Sequence, residues 1–142
     1  MTREQKSLRT TGLLFAVTGI VLAAGAWPSL YWPSAIFLDI AHWPFHGAPR
    51  PPEPATRLLL AIAGGLTVGF GAAIWTVATQ LLGDHPSVAR AVIRNAALSW
   101  FAVDSTFSVV AGAPMNVALN LVFLAAVLWP MRKALRQRDA AV

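Results

Sequence analysis

Cysteine is missing from this chain of 142 residues, and charge is scarce at 12%. Without a thiol there is no disulfide, no thiolate metal site and no sulfur nucleophile. No serine–histidine–carboxylate set, glycine-rich phosphate loop or HExxH pattern is present. A non-enzymatic role is therefore expected, and neither a cofactor nor a metal. Soluble domains carry about twice this charged fraction, so the polar shell that water demands is lacking too.

Hydrophobic residues fill that gap, at 56% with a mean hydropathy of +0.59. The net charge of +5 does not point to nucleic acid. No groove-reading motif accompanies it, and the basic residues flank apolar runs, which is a topology signal. The first run covers about 11–27, just long enough to cross a hydrocarbon core. Its basic start and Ala24-Gly25-Ala26 also resemble a signal peptide; a retained helix is expected. The connection 28–56 holds most of the prolines and a crowd of aromatics, Trp27, Tyr31, Trp32 and Trp43. It reads as a structured interfacial segment with a short helix over 34–41, opened near Pro33. Further apolar runs cover about 58–82, 91–112 and 114–130, and a basic tail fills 131–142.

The expected fold is all-α: an integral membrane four-helix bundle with a structured connection between its first two helices. Of the 11 Lys and Arg residues, all but Arg50 and Arg57 fall on one side of a four-span arrangement. This puts both termini in the cytoplasm of a bacterium, with the protein in the inner membrane.

Asp104 stands out because it lies well inside the third run. An ionisable group at that depth costs about 2.5–3.5 kcal/mol on insertion scales, so it should face the protein interior. Ser108 lies one helical turn away, with Ser105 beside Asp104. A tight hairpin at Gly112–Pro114 brings Asp104 to about the level of residue 122, within half a turn of Asn120. Asn116 shares the face of Asn120. An Asp104–Asn120 pair extended by Ser108 and Asn116 is expected, serving either as interhelical glue or as a proton, ion or polar-ligand site.

Ala61, Gly65, Gly69 and Ala73 recur every fourth residue in the second run. Gly65-x-x-x-Gly69 is a close-approach pattern for another helix, expected to pack inside the monomer or to form a homodimer seam. Gly64 and Gly71 widen the groove. Asp39, His42 and His46 have a spacing that metal sites use, but Pro44 interrupts the helix between the histidines. They read as interfacial residues. Glu53 and Arg57 are spaced for a weak exposed ion pair.

The segments Trp100-Phe101-Ala102-Val103-Asp104-Ser105 and Gly112-Ala113-Pro114-Met115-Asn116-Val117, with Asn120, resemble a group of small, uncharacterised bacterial four-span membrane proteins. The resemblance extends to His42-Trp43-Pro44 and Gly64-Gly65. It implies the architecture and brings no activity with it. Beyond the lipid bilayer, a larger membrane complex or a second copy of the chain is the expected partner. The leading functional expectation is an accessory or hydrophobic-ligand-binding membrane protein. The alternative is a small oligomeric proton-coupled transporter or channel working through Asp104.

Overall fold

A computed structural model describes residues 1–44 and 53–132. Among these, 85% are helical and none forms a strand. His46, Arg50 and the basic tail from Lys133 onward lie outside the described residues, and with them part of the histidine and charge patterns read above.

Helix α1 runs over Arg3–Ala24, well ahead of the apolar run that begins near residue 11. Its start is set by a capping box. The Thr2 hydroxyl accepts from Gln5 N at 3.1 Å, and Gln5 Oε1 accepts from Thr2 N at 2.7 Å, so two orphan amides at the terminus are satisfied. A 3-10 turn over Pro28–Leu30 leads into α2, Trp32–Ala41, with a proline in its first turn. The short interfacial helix thus opens two residues earlier than the sequence pattern places it. Helix α3, Pro54–Thr76, continues into a π-helical turn over Val77–Leu81. Helix α4 spans Pro86–Val110 and α5 Met115–Leu128, followed by a 3-10 turn at Trp129–Met131.

The α4–α5 hairpin turns on Gly112, whose φ of 76° lies in the left-handed region that favours glycine. Ala113 N donates to Ser108 O at 2.8 Å and Gly112 N to Val109 O at 3.0 Å, the paired bonds of a Schellman end. This fixes the register between α4 and α5, and hence which residues meet across the hairpin.

Helices α1 and α3 form the closest pair, antiparallel, and glycine makes the approach possible. A Cβ at Gly12 would stand 2.7 Å from the carbonyl oxygen of Gly71; one at Gly19 would stand 2.6 Å from that of Gly64. Both clashes are with backbone, so no side-chain rotation relieves them. The contact therefore uses Gly64 and Gly71, two turns apart, and corrects the intramolecular reading of the four-residue stripe. Gly65 and Gly69 have no neighbour within 4 Å of an added Cβ. Ala73 is exposed and Ala61 half-buried. That stripe points away from the bundle because a four-residue step drifts off the seven-residue seam on which the two backbones touch.

Two helices, Arg3–Ala24 and Pro54–Leu81, are long and apolar enough to cross a membrane by length and composition. Of the remaining helices, α4 and α5 fall short for identifiable reasons. Helix α4 carries Arg90, Arg94 and Asp104. Helix α5 has 14 residues, about 21 Å at 1.5 Å per residue, against roughly 30 Å of hydrocarbon.

The interior divides into two levels. At the end holding the N-terminus, Leu8, Ala78, Ala89, Ile93, Val127 and Met131 are buried together. The same end is closed by a bidentate pair in which Arg90 Nε and a terminal nitrogen donate to the two Glu4 carboxylate oxygens at 2.7 and 2.8 Å. At mid-height an aromatic layer takes one ring from each long helix: Phe15, Phe70, Trp100 and Phe123. Phe15 sits at its centre, with ring centroids 5.1, 5.4 and 4.7 Å from the other three, within the range where aromatic pairs attract.

Candidate functional site

Above the aromatic layer, on the side away from the N-terminus, α4 and α5 present a polar cluster. The hairpin register brings Asp104 of α4 opposite Asn120 of α5, and a step of four adds Ser108 and Asn116. Asp104 Oδ1 accepts three hydrogen bonds: from Asn120 Nδ2 at 2.8 Å, Asn116 Nδ2 at 2.9 Å and Ser108 Oγ at 3.1 Å. Asn116 Nδ2 also donates to Ser108 Oγ at 2.9 Å, and Asn120 Nδ2 to Ser105 Oγ at 3.2 Å. Asp104, Ser108, Asn116 and Asn120 therefore form one network, which Ser105 completes. Asn120 and Ser105 are buried; the other three are half-buried.

The orientation of Asn116 follows from chemistry. Its amide nitrogen has two hydrogens, and both acceptors in reach lie on one side. Turning the carboxamide over would set oxygen against the Asp104 oxygen. The cost of this arrangement is visible: Asn116 Oδ1 is buried and has no hydrogen-bond partner. Orphaned buried acceptors are uncommon in folded proteins.

The network forms part of the wall of a cavity of about 380 Å³. Phe15, Phe70, Trp100 and Phe123 line its floor. Its sides come from α1 through Thr18 and Leu22, and from α3 through Leu60, Ala63, Leu66 and Thr67. Helix α2 contributes Phe37 and Leu38. The lining is thus largely apolar, with Asp104, Asn116 and Asn120 grouped on one wall. Such a composition, apolar with a few convergent polar groups, is that of small-molecule sites.

One hydrogen bond holds α2 against α1, and another ties α3 to the segment just after α1. The buried Ser34 hydroxyl donates to Val21 O at 2.9 Å, and Arg57 Nε donates to Ala26 O at 2.7 Å. Val21 O also accepts from Gly25 N, whereas Ala26 O lies just past the helix end and takes Arg57 as its partner. Arg57 thus reaches the α1 terminus, where the sequence spacing had pointed to Glu53. Tyr31, Ala35 and Leu60 pack beneath as a small second core.

The remaining candidates stand apart from the cavity. His42 is exposed, and its Nδ1 lies 2.9 Å from Leu38 O. No group of three or more metal-ligating side chains is found among the described residues. The aromatic layer was not anticipated from sequence. A signal exists for three of its rings: carrying the depth comparison through the short turn between α3 and α4 places Phe70, Trp100 and Phe123 at one level, while the long connection leaves Phe15 unplaced.

The chain matches no protein-family model, no curated protein and no solved structure.

Proposed function

We propose that this is a non-enzymatic integral membrane protein of the bacterial inner membrane that holds a hydrophobic molecule in the cavity between its helices. The observation that carries this reading is the cavity itself, apolar on most sides and polar on one wall. Membrane placement of all four long helices is supported by their outward faces. Leu13, Leu66, Phe107 and Val122 are each more than half exposed, one from every long helix, where a soluble bundle would carry charge. Exposed tryptophans mark the bundle ends, Trp27, Trp32 and Trp43 at one and Trp129 at the other, as interfacial belts do. Arg132 lies over the Trp129 ring at 3.7 Å, a position from which its charge reaches the interface beyond the short α5.

Orientation follows from the basic residues. Arg3, Lys6, Arg9, Arg90, Arg94 and Arg132 gather at the end closed by the Glu4–Arg90 pair, which makes that end cytoplasmic by the positive-inside rule. The open Gly65–Gly69 stripe fits the backbone of a further helix, from a larger membrane complex or a second copy of the chain.

A proton-coupled transport role is the second reading, favoured by a carboxyl group at mid-membrane depth with one oxygen left unpaired. Among the described residues, however, Asp104 is the one titratable side chain lining the cavity, and a coupled path needs a relay. Binding accounts for more of the site than transport does.

The test is to purify the protein from native membranes into nanodiscs and extract it with solvent for mass spectrometry. A hydrophobic species enriched over bulk lipid is expected, and it should be lost from an Ala63→Trp variant in which the indole occupies the cavity. Recovery of bulk lipid alone, or equal recovery from both proteins, would reject the cavity as a binding site.

A further inference from the structure

We infer that the cavity takes a single-chain amphipathic cation bearing at least one N–H donor, with its ammonium head on Asp104 and its chain among the rings. This names the ligand class for the binding role proposed above and rests on that role.

Donors and acceptors at the polar wall do not balance. A carboxamide nitrogen has two hydrogens and a hydroxyl one. Both hydrogens of Asn116 are spent, on Asp104 and Ser108. Both of Asn120 are spent, on Asp104 and Ser105. The Ser108 hydroxyl is spent on Asp104, and that of Thr67 on Ala63 O at 2.8 Å. Two acceptors are left over. Asn116 Oδ1 is buried and unpartnered, and Asp104 Oδ2 accepts no hydrogen bond among the described residues. Asn116 Oδ1 is enclosed, whereas Asp104 lines the cavity, so a molecule entering at this wall meets the unpaired Asp104 oxygen and must bring a donor.

Charge points the same way. Among the described residues, no Lys, Arg or His lines the cavity. Three of the described arginines are engaged near the bundle ends: Arg57 on Ala26 O, Arg90 on Glu4, Arg94 on its neighbour Asn95. A carboxylate among apolar walls without a cation is costly, and a cationic ligand head removes that cost. The floor suits the other end of such a molecule: Phe15, Phe70, Trp100 and Phe123 line the same space and offer apolar surface to a chain.

Size limits the apolar part. At roughly 30 Å³ per water-sized group, a cavity of about 380 Å³ holds about a dozen non-hydrogen atoms. That suits one alkyl chain of medium length and is too small to enclose a two-chain lipid. A fatty-acid head would meet repulsion from Asp104. A quaternary ammonium would supply charge but no N–H for Asp104 Oδ2. A neutral alcohol would supply one donor and no charge.

The experiment titrates the protein in phosphatidylcholine nanodiscs by calorimetry, subtracting empty nanodiscs. The probes are decylammonium, decyltrimethylammonium and decanol. Decylammonium is expected to bind at least about tenfold more tightly than either other probe, the value of a charge-assisted hydrogen bond. Asp104→Asn should remove that advantage while leaving decanol binding in place, and Ala63→Trp should block all three. Decanol binding as tightly as decylammonium to the native protein would overturn the inference, showing that Asp104 is neutralised by a proton instead. This comparison needs no variant to fold. In that case, loss of decanol binding in Ala63→Trp would leave the cavity role standing. Binding of every probe unaffected by Ala63→Trp, or binding of none, would reject the cavity role as well.

Discussion

Asp104 accepts three hydrogen bonds on a single oxygen, and each donor comes from a side chain the hairpin delivers. Replacing it separates packing from ligand chemistry. Asp104→Asn keeps the size and one acceptor oxygen, so the loss of stability should stay near the average for interhelical bonds in membranes, about 0.6 kcal/mol. Asp104→Leu removes the shared acceptor of Asn116, Asn120 and Ser108, leaving Asn116 and Asn120 one bond each and Ser108 without its acceptor. It should cost about 2 kcal/mol. Thermal unfolding of both variants in the same detergent measures the difference. A Leu variant as stable as the native protein would show that the cluster contributes nothing to the fold. The pairing of Asp104 with Asn120 is readable from sequence for a specific reason. Gly112 and Pro114 fix the turn, and one fixed turn is enough to count depth along two antiparallel helices.

Helices α1 and α3 are joined by a long proline-rich connection, which supplies no such fixed point. Gly65-x-x-x-Gly69 is therefore the stronger pattern in the sequence, although the seam runs through Gly12, Gly19, Gly64 and Gly71. The same limit applies to helix ends, since hydropathy marks where an apolar run begins and Thr2-x-x-Gln5 marks where α1 begins. The seam makes a sign prediction. Gly19→Ala places a methyl against the backbone of Gly64 and Val68, forcing the helices apart at a cost of about 1–3 kcal/mol. Gly65→Ala meets no neighbour and should stabilise α3 by up to about 1 kcal/mol through helix propensity. Unfolding midpoints in detergent, read beside the particle size from light scattering, check both. If Gly65→Ala instead lowers the midpoint and shrinks the particle, the outward stripe is the seam of an oligomer. The π-helical turn at Val77–Leu81 has no sequence mark that we can identify, and we have no physical account of it.

The whole molecule is asymmetric from end to end: a packed aliphatic half closed by Glu4–Arg90, an aromatic layer, then a half containing the cavity and α2. The all-helical class is legible in composition. The cavity is not, because it depends on α2 folding back over the bundle through the Ser34 bond to Val21 O, a contact that no periodicity encodes. In the membrane reading, the cavity half lies toward the outer face. Single cysteines introduced into this cysteine-free chain locate it. A cysteine at Gln5 or His85 should react only once the cytoplasmic face is opened, and one at Pro28 should react in intact spheroplasts. Labelling of His85→Cys from outside would invert or dismantle the four-span arrangement. The central claim, that the space between the helices is a binding site, is met most directly by an experimental density map of the protein purified from its membrane into nanodiscs. Elongated density is expected within the cavity, lying along Phe70 and Trp100, with its head within hydrogen-bond distance of Asp104 Oδ2. Side chains collapsed into that space, or density for isolated waters alone, would contradict it.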